Sequence, residues 1–143
     1  MPIKERVVMT ENHDIKTKTG KVASISLHEV IEDLVKGHDY ARIVTITAVD
    51  MGEKFELIYH IDVQGEATSV RVEVPRENAS IPTVTDLIPG ALLYEREVRE
   101  LFGIEFKGHP EPQHLLLPDG WPDGLYPLRK ELTIEKIVEE AEK

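Results

Sequence analysis

The sequence contains no cysteine. That excludes disulfides and thiol nucleophiles, and it removes the thiolates on which iron–sulfur clusters mainly hang. Aromatic residues are sparse at 6%, so a core must be built mostly from aliphatic side chains. Positive charge is also short: 17 Lys and Arg against 27 Asp and Glu leave a formal net charge of -10. Such a surface repels nucleic-acid phosphates and anionic lipid, so neither nucleic acid nor a bare membrane surface is expected as a partner. No apolar run approaches the ~18–20 residues of a membrane span. The first residues, MPIKERVVMTENHD, lack the apolar stretch of a signal peptide. The expected location is cytoplasmic.

Catalytic and nucleotide motifs are missing as well. There is no HExxH, no GxGxxG, no P-loop and no GxSxG elbow. His109 and His114 are five positions apart among prolines, without a third ligand nearby. A histidine bonded to backbone in a proline-rich loop is preferred there to a metal site. His60 alternates with the apolar face of its strand and is expected to be solvated.

What is present is enough for one domain: 143 residues, 41% of them hydrophobic. Two short β-type runs, Arg6-Val7-Val8-Met9 and Val22-Ala23-Ser24-Ile25, flank the polar stretch Glu11–Gly20. A helix follows, with Ser26 and Glu29 spaced as a capping box, Leu27, Val30, Ile31, Leu34 and Val35 on one face, and Gly37 at its end. Three strands come next, over Ala41–Val49, Phe55–Val63 and Val70–Val74, joined by the turns Met51-Gly52-Glu53 and Gln64-Gly65-Glu66. Short turns between neighbouring strands imply an antiparallel meander with one apolar face to cover. Thr85 to Phe102 reads as helical, interrupted at Pro89-Gly90. A last short helix covers Thr133–Lys143, with Thr133 as N-cap and Ile134, Ile137, Val138 and Ala141 along one side.

The stretch 103–130 is different. It holds five of the nine prolines and four of the nine glycines. A regular helix is impossible across it, and a loop of that length in a compact domain usually has a job. It carries Phe106, Leu115, Leu116, Leu117, Trp121, Tyr126 and Leu128, which must pack on the parent domain or on a partner.

One constellation stands out. In Tyr94-Glu95-Arg96-Glu97-Val98-Arg99-Glu100-Leu101-Phe102, helical spacing puts Glu95 in line with Ala91, Val98 and Phe102. A carboxylate on an apolar stripe must be paired, and Arg99 or Arg129 is the expected partner. Three readings stay open: a perturbed acid or base, a structural anchor that pins the following loop, or a stripe at a subunit interface.

Glu95-Arg96-Glu97-Val98, then Leu101-Phe102-Gly103-Ile104-Glu105-Phe106-Lys107-Gly108-His109-Pro110, then Leu116-Leu117-Pro118, Trp121 and Pro127-Leu128-Arg129-Lys130, resembles the signature of the NuoC-type subunit of NADH:quinone oxidoreductase. The order and spacing match from Tyr94 to Glu131. Leu93 stands where the family often has Trp and Glu100 where it favours Asp. Glu111-Pro112-Gln113-His114 replaces the usual arginines, and Glu131-Leu132 replaces Asp-Tyr. These departures suggest a divergent archaeal or bacterial relative, of the kind carried by membrane-bound nickel–iron hydrogenases and related ferredoxin-linked complexes.

The resemblance implies an α+β fold: an antiparallel sheet of three to five strands, helices on one face, and a long proline-rich C-terminal extension. An α+β domain over residues 1–102 would precede a partner-docking segment over 103–143. It implies no cofactor in this chain, no catalytic residues and no metal. It also implies a scaffold role in the peripheral arm of a membrane-associated respiratory redox complex. The partners would be a large subunit (NuoD-like, or the hydrogenase large subunit) and iron–sulfur subunits, with the membrane reached only through the complex. The alternatives are the NuoC subunit of a quinone reductase proper, or a transient assembly factor. Residues expected at the partner contact or in the structural motif are Glu95, Arg96, Glu97, Arg99, Phe102, Gly103, Ile104, Phe106, Gly108, His109, Pro110, Trp121, Pro127, Leu128, Arg129 and Lys130.

Overall fold

A computed structural model describes residues 8–12, 17–22, 26–111 and 113–143. Strands β1 (Val8–Asn12) and β2 (Thr17–Val22) lead into helix α1 (Leu27–Lys36). Three long strands follow, β3 (Ala41–Asp50), β4 (Lys54–Val63) and β5 (Glu66–Pro75), then the short β6 (Ser80–Pro82). Helix α2 (Ala91–Phe102), strand β7 (Glu105–Lys107) and helix α3 (Ile134–Ala141) complete the order.

The alternation of apolar residues in β4 decides which face is inside. Phe55, Leu57, Tyr59, Ile61 and Val63 are buried, while Lys54, Glu56, His60 and Asp62 point the other way. The turn Gln64-Gly65 closes β4 onto β5 with Val63 opposite Glu66, so Val70, Val72 and Val74 fall on the same face. Helix α1 covers that face with Leu27, Val30, Ile31 and Leu34, and α2 adds Ala91, Val98 and Phe102. Phe55 and Phe102 meet edge to face, 6.1 Å between ring centroids.

The meander is as expected, β3, β4 and β5 being antiparallel. The sheet as a whole is mixed, in the order β1-β2-β5-β4-β3, because β2 pairs with β5 in parallel. The β2–α1–β3 passage is therefore a crossover with β5 and β4 inserted between its strands. Strands β1 and β2 run through much of Glu11–Gly20, which polarity had marked as a separator. Their pairing is a backbone ladder, to which side-chain polarity is a poor guide. The expected strand residues Arg6, Val7, Ala23, Ser24 and Ile25 lie outside the described residues.

Three local expectations are corrected. Ser26 stands at the N-cap of α1, but its backbone is already helical and its hydroxyl makes no cap bond, so the capping box is not formed. Helix α2 starts only at Ala91. Before it, Leu87 and Ile88 donate to the Val84 carbonyl in a turn, and Pro89, lacking an N–H, keeps that turn from joining the helix. His60 is half-buried and bridges Thr47 Oγ1 at 3.2 Å and Ser69 Oγ at 3.1 Å, and burial holds its pKa below the usual value, with help from the charge of Arg71.

Gln64 and Gly65 have φ of 50° and 86°, the left-handed pair of a two-residue hairpin turn. Glutamine tolerates that region less well than asparagine. Gln64→Asn should therefore stabilise the fold by about 0.5 kcal/mol, read from chemical unfolding by circular dichroism. A loss of stability would contradict this reading of the turn.

Candidate functional site

The site is built around helix α2, which stops at Gly103 in a left-handed C-cap, φ 75°, with the Gly103 N–H donating to the Arg99 carbonyl. Only glycine fits. A Cβ there would lie 2.4 Å from Tyr126 Cε2 and 2.7 Å from Arg129 Nη2. Arg129 Nε donates to the Phe102 carbonyl at 2.7 Å, and its guanidinium lies 4.5 Å from the Tyr126 ring centroid and 5.3 Å from that of Phe55. The far end of the proline-rich stretch is thus folded back onto the end of α2.

One turn earlier, Arg96 and Glu100 hold the middle of that stretch from the same side of the helix. Arg96 donates to the Gln113 carbonyl at 3.1 Å and to the His114 carbonyl at 2.6 Å. Glu100 accepts the N–H groups of Leu115, Leu116 and Leu117 at 2.9, 2.7 and 3.1 Å, and His114 Nδ1 lies 2.9 Å from it. Burial alone would raise the Glu100 pKa, but these bonds pull it below the usual carboxylate value.

A third anchor comes from the β3–β4 turn. Asp50 is 4% exposed and accepts the Gly52 N–H at 2.9 Å, the Lys130 N–H at 2.9 Å and Arg76 Nη1 at 2.7 Å. Arg76 also pairs with Glu131 and lies 5.1 Å from the Phe55 ring centroid. Burial opposes ionisation of Asp50, but the Lys130, Gly52 and Arg76 donors win and hold its pKa at about 2.

Glu95 is fully buried and is not held by the expected guanidinium. Its oxygens take the Val84 N–H at 2.8 Å and the Thr83 hydroxyl at 2.5 Å, while Arg129 is occupied at the Phe102 carbonyl. A guanidinium reaching into the aliphatic space beside Ala91 and Val98 would have to be desolvated too, whereas the β6–α2 turn delivers donors at no such cost. Burial pushes the Glu95 pKa to about 7, against the pull of the Thr83 and Val84 bonds.

His109 does bond to backbone, as expected. Its Nε2 lies 3.0 Å from the Leu92 carbonyl, and its Nδ1 accepts the Glu111 N–H at 3.0 Å. The structure brings Glu95 and His109 to 3.9 Å of each other, yet their side chains are 0% and 2% exposed. His109 borders a broad open groove of about 1280 Å³ between β6–β7 and the proline-rich stretch, but Glu95 does not reach it. The pocket that acid–base chemistry by this pair requires is not formed.

The other expected residues fall into two groups. Phe102, Ile104 and Phe106 are buried in the chain's own core, with Gly108 close against Thr83. Glu97, Pro110, Leu128 and the Lys130 side chain are exposed, and Arg99 and Pro127 are half-buried. Trp121 is half-buried and donates from its indole N–H to the Leu125 carbonyl at 2.7 Å. Asp50, Arg76, Thr83 and Glu100 were not singled out from the sequence. Asp50-Met51-Gly52 had the spacing of an Asx turn, and Glu100 follows Arg96 by four residues; those were the available signals.

Among the described residues, no group of three or more His, Cys, Asp or Glu side chains could hold a metal ion. Among them also, no helix is long and apolar enough to cross a membrane.

The family model of the respiratory-chain NADH dehydrogenase 30 Kd subunit matches residues 21–138. The membrane-bound hydrogenase subunit beta of Pyrococcus furiosus is 36% identical over 96 residues, 64% of this chain and 54% of that one. Formate hydrogenlyase subunit 5 of Escherichia coli is 49% identical over 63 residues, 44% of this chain and only 11% of that one. The chain thus spans about half the length of the hydrogenase subunit and a small part of the other. Among solved structures, a chain of the membrane-bound sulfane sulfur reductase, an archaeal respiratory membrane complex, superposes with a TM-score of 0.79 and 25% identity. That match covers 96% of this chain and 84% of that one.

Two substitutions test the anchors. Gly103→Ala should cost about 2–3 kcal/mol, from a strained left-handed backbone and displacement of Tyr126 and Arg129; a neutral effect in urea unfolding would refute the close packing. Asp50→Asn should cost about 2–4 kcal/mol at pH 7, because it removes the charge that three donors face. The folded-state pKa of Asp50 is depressed, so its contribution is full above the unfolded value of 3.8 and is lost as pH falls through about 2. The gap between wild type and Asp50→Asn should therefore narrow at pH 2, and a gap that stays constant with pH would rule out the ionic anchor.

Proposed function

We propose a function from one premise: the chain belongs to the family of the 30 Kd subunit of respiratory-chain NADH dehydrogenase. Its role is that of a non-catalytic scaffold subunit in the peripheral arm of a membrane-associated redox complex. It docks on the large subunit, on the cytoplasmic side, and holds no cofactor of its own.

The observation that carries this reading is the way the C-terminal stretch is held. Its backbone is fixed by Arg96, Glu100, Arg129 and Asp50, while Leu115, Leu116 and Leu128 are 37%, 61% and 52% exposed. Helix α3 continues the pattern, with Ile134 76% and Val138 47% exposed and no residue of the helix buried. Apolar side chains presented on an ordered, polar-anchored backbone are those of a surface awaiting a partner. The match to a small part of formate hydrogenlyase subunit 5 supports a permanent partner over a transient one, because a covalent link fixes stoichiometry and raises effective concentration. The hydrogenase and sulfane sulfur reductase likenesses favour a ferredoxin- or hydrogen-linked complex over a quinone reductase.

Native co-purification tests this. The tagged chain, taken from gently solubilised membranes, should bring down a large subunit, iron–sulfur subunits and membrane subunits in equal amounts, with nickel marking a hydrogenase. Leu116→Asp should abolish that recovery while changing the isolated chain's melting temperature by no more than about 2 °C. Recovery of the wild-type chain alone would overturn the scaffold role.

A further inference from the structure

We propose that Glu95 is held as a neutral carboxyl in the folded protein, and that its proton latches the Thr83–Val84 turn and the His109 turn onto α2. The latch bears on partner docking only if the scaffold role above is right, but it is a property of this chain by itself.

The geometry leaves no room for a counter-charge. Glu95 is 0% exposed, and the groups that face it are Val84, Thr83, His109, Tyr59 and Asp86. Asp86 carries the same sign. His109 accepts the Glu111 N–H on Nδ1, so its single ring proton is on Nε2 and goes to the Leu92 carbonyl; the ring is neutral. Tyr59 on β4 is buried, and its hydroxyl has no partner. An ionised carboxylate in this setting would be a desolvated charge with nothing opposing it.

A neutral carboxyl fits every contact. Oε1 accepts the Val84 N–H at 2.8 Å, and the acid proton lies on the 2.5 Å line from Oε2 to Thr83 Oγ1. The Thr83 hydroxyl then donates onward to Thr85 Oγ1 at 2.8 Å and also accepts the Thr85 N–H at 3.1 Å. Burial pushes the carboxyl pKa to about 7, so the proton leaves near neutral pH. Once it has gone, the nearest hydrogen-bond donor not already turned toward the charge is His109 Nε2–H, 3.9 Å away. Drawing that N–H off the Leu92 carbonyl loosens the turn through Gly108, His109 and Glu111, at the root of the docking segment.

The sign follows from linkage. An acid whose folded-state pKa is raised binds more protons in the native than in the unfolded state between pH 4.5 and about 7, so stability falls as pH rises through that window. The test is chemical unfolding of the full chain from pH 5 to 8, for wild type and Glu95→Gln. The glutamine amide reproduces the neutral pattern, its oxygen on Val84 N–H and its NH2 on Thr83. The wild-type folding equilibrium should weaken by roughly 100-fold across this range in excess of any slope in Glu95→Gln. The variant should be at least as stable as wild type at pH 8. A Glu95→Gln protein that is less stable at pH 8, or that keeps the full wild-type slope, would overturn the latch. Should the variant fail to fold, the wild-type Glu95 carboxyl carbon read by NMR decides: a midpoint near 7 supports the latch, and one at or below 4.5 refutes it. These outcomes are read on the isolated chain, so they stand or fall apart from the docking partner.

Discussion

The Glu100 carboxylate is the interaction on which the C-terminal third of this chain depends. After α2 the backbone passes through prolines 110, 112, 118, 122 and 127 and cannot form a helix or a continuous ladder. Its N–H groups must still be satisfied wherever the stretch lies against the domain. Glu100 meets that demand for three successive residues, and Arg96, one turn back, meets it for the carbonyls just before them. A carboxylate is suited to this task because it accepts several bonds at once, each strengthened by its charge. An apolar residue at that position could pack against the loop but could not fix its register.

Three buried acids solve the same problem in three ways. Asp50 keeps its charge by collecting a guanidinium and two backbone N–H groups. Glu100 keeps its charge with backbone donors and a histidine ring nitrogen nearby. Glu95 faces a hydroxyl and a single backbone N–H, and burial outweighs them. The difference is the number and kind of donors that the neighbouring loops can supply. It orders the three groups by pKa without reference to their sequence neighbours.

Periodicity revealed the elements whose side chains alternate between core and solvent: α1, the β3–β5 meander and the stripe of α2. It did not reveal β2, whose place beside β5 is a matter of backbone pairing at the flank of the sheet. It placed Glu95 on the apolar stripe correctly but assigned it an arginine, because helical spacing shows only neighbours on the same helix. The true partners, Thr83 and Val84, come from the turn that precedes α2 in the chain and lies over it in space. Asp50 was hidden for the same reason: Lys130, 80 residues away, is brought to it by the path of a proline-rich stretch with no periodicity to read.

A docking surface made of loop has a specific difficulty. If apolar residues held the loop to its own domain, the same side chains would be unavailable to a partner, and a free loop would lose its entropy on every association. Here the two tasks are separated by chemistry. Polar groups on α2 and at the β3–β4 turn grip the backbone, and the leucines of that same backbone are left facing outward. The arrangement requires the gripping residues to be buried or half-buried and charged, which explains why a chain without metal-binding clusters among its described residues still concentrates its strongest electrostatics at α2. It also requires α2 to end at a fixed point. Gly103 sets that point, since the close approach of Tyr126 and Arg129 leaves no space for a Cβ. The polar signature and the glycine are therefore one device, and the pattern of residues from Glu95 to Lys130 reads as the specification of a pre-ordered surface rather than of a reaction centre.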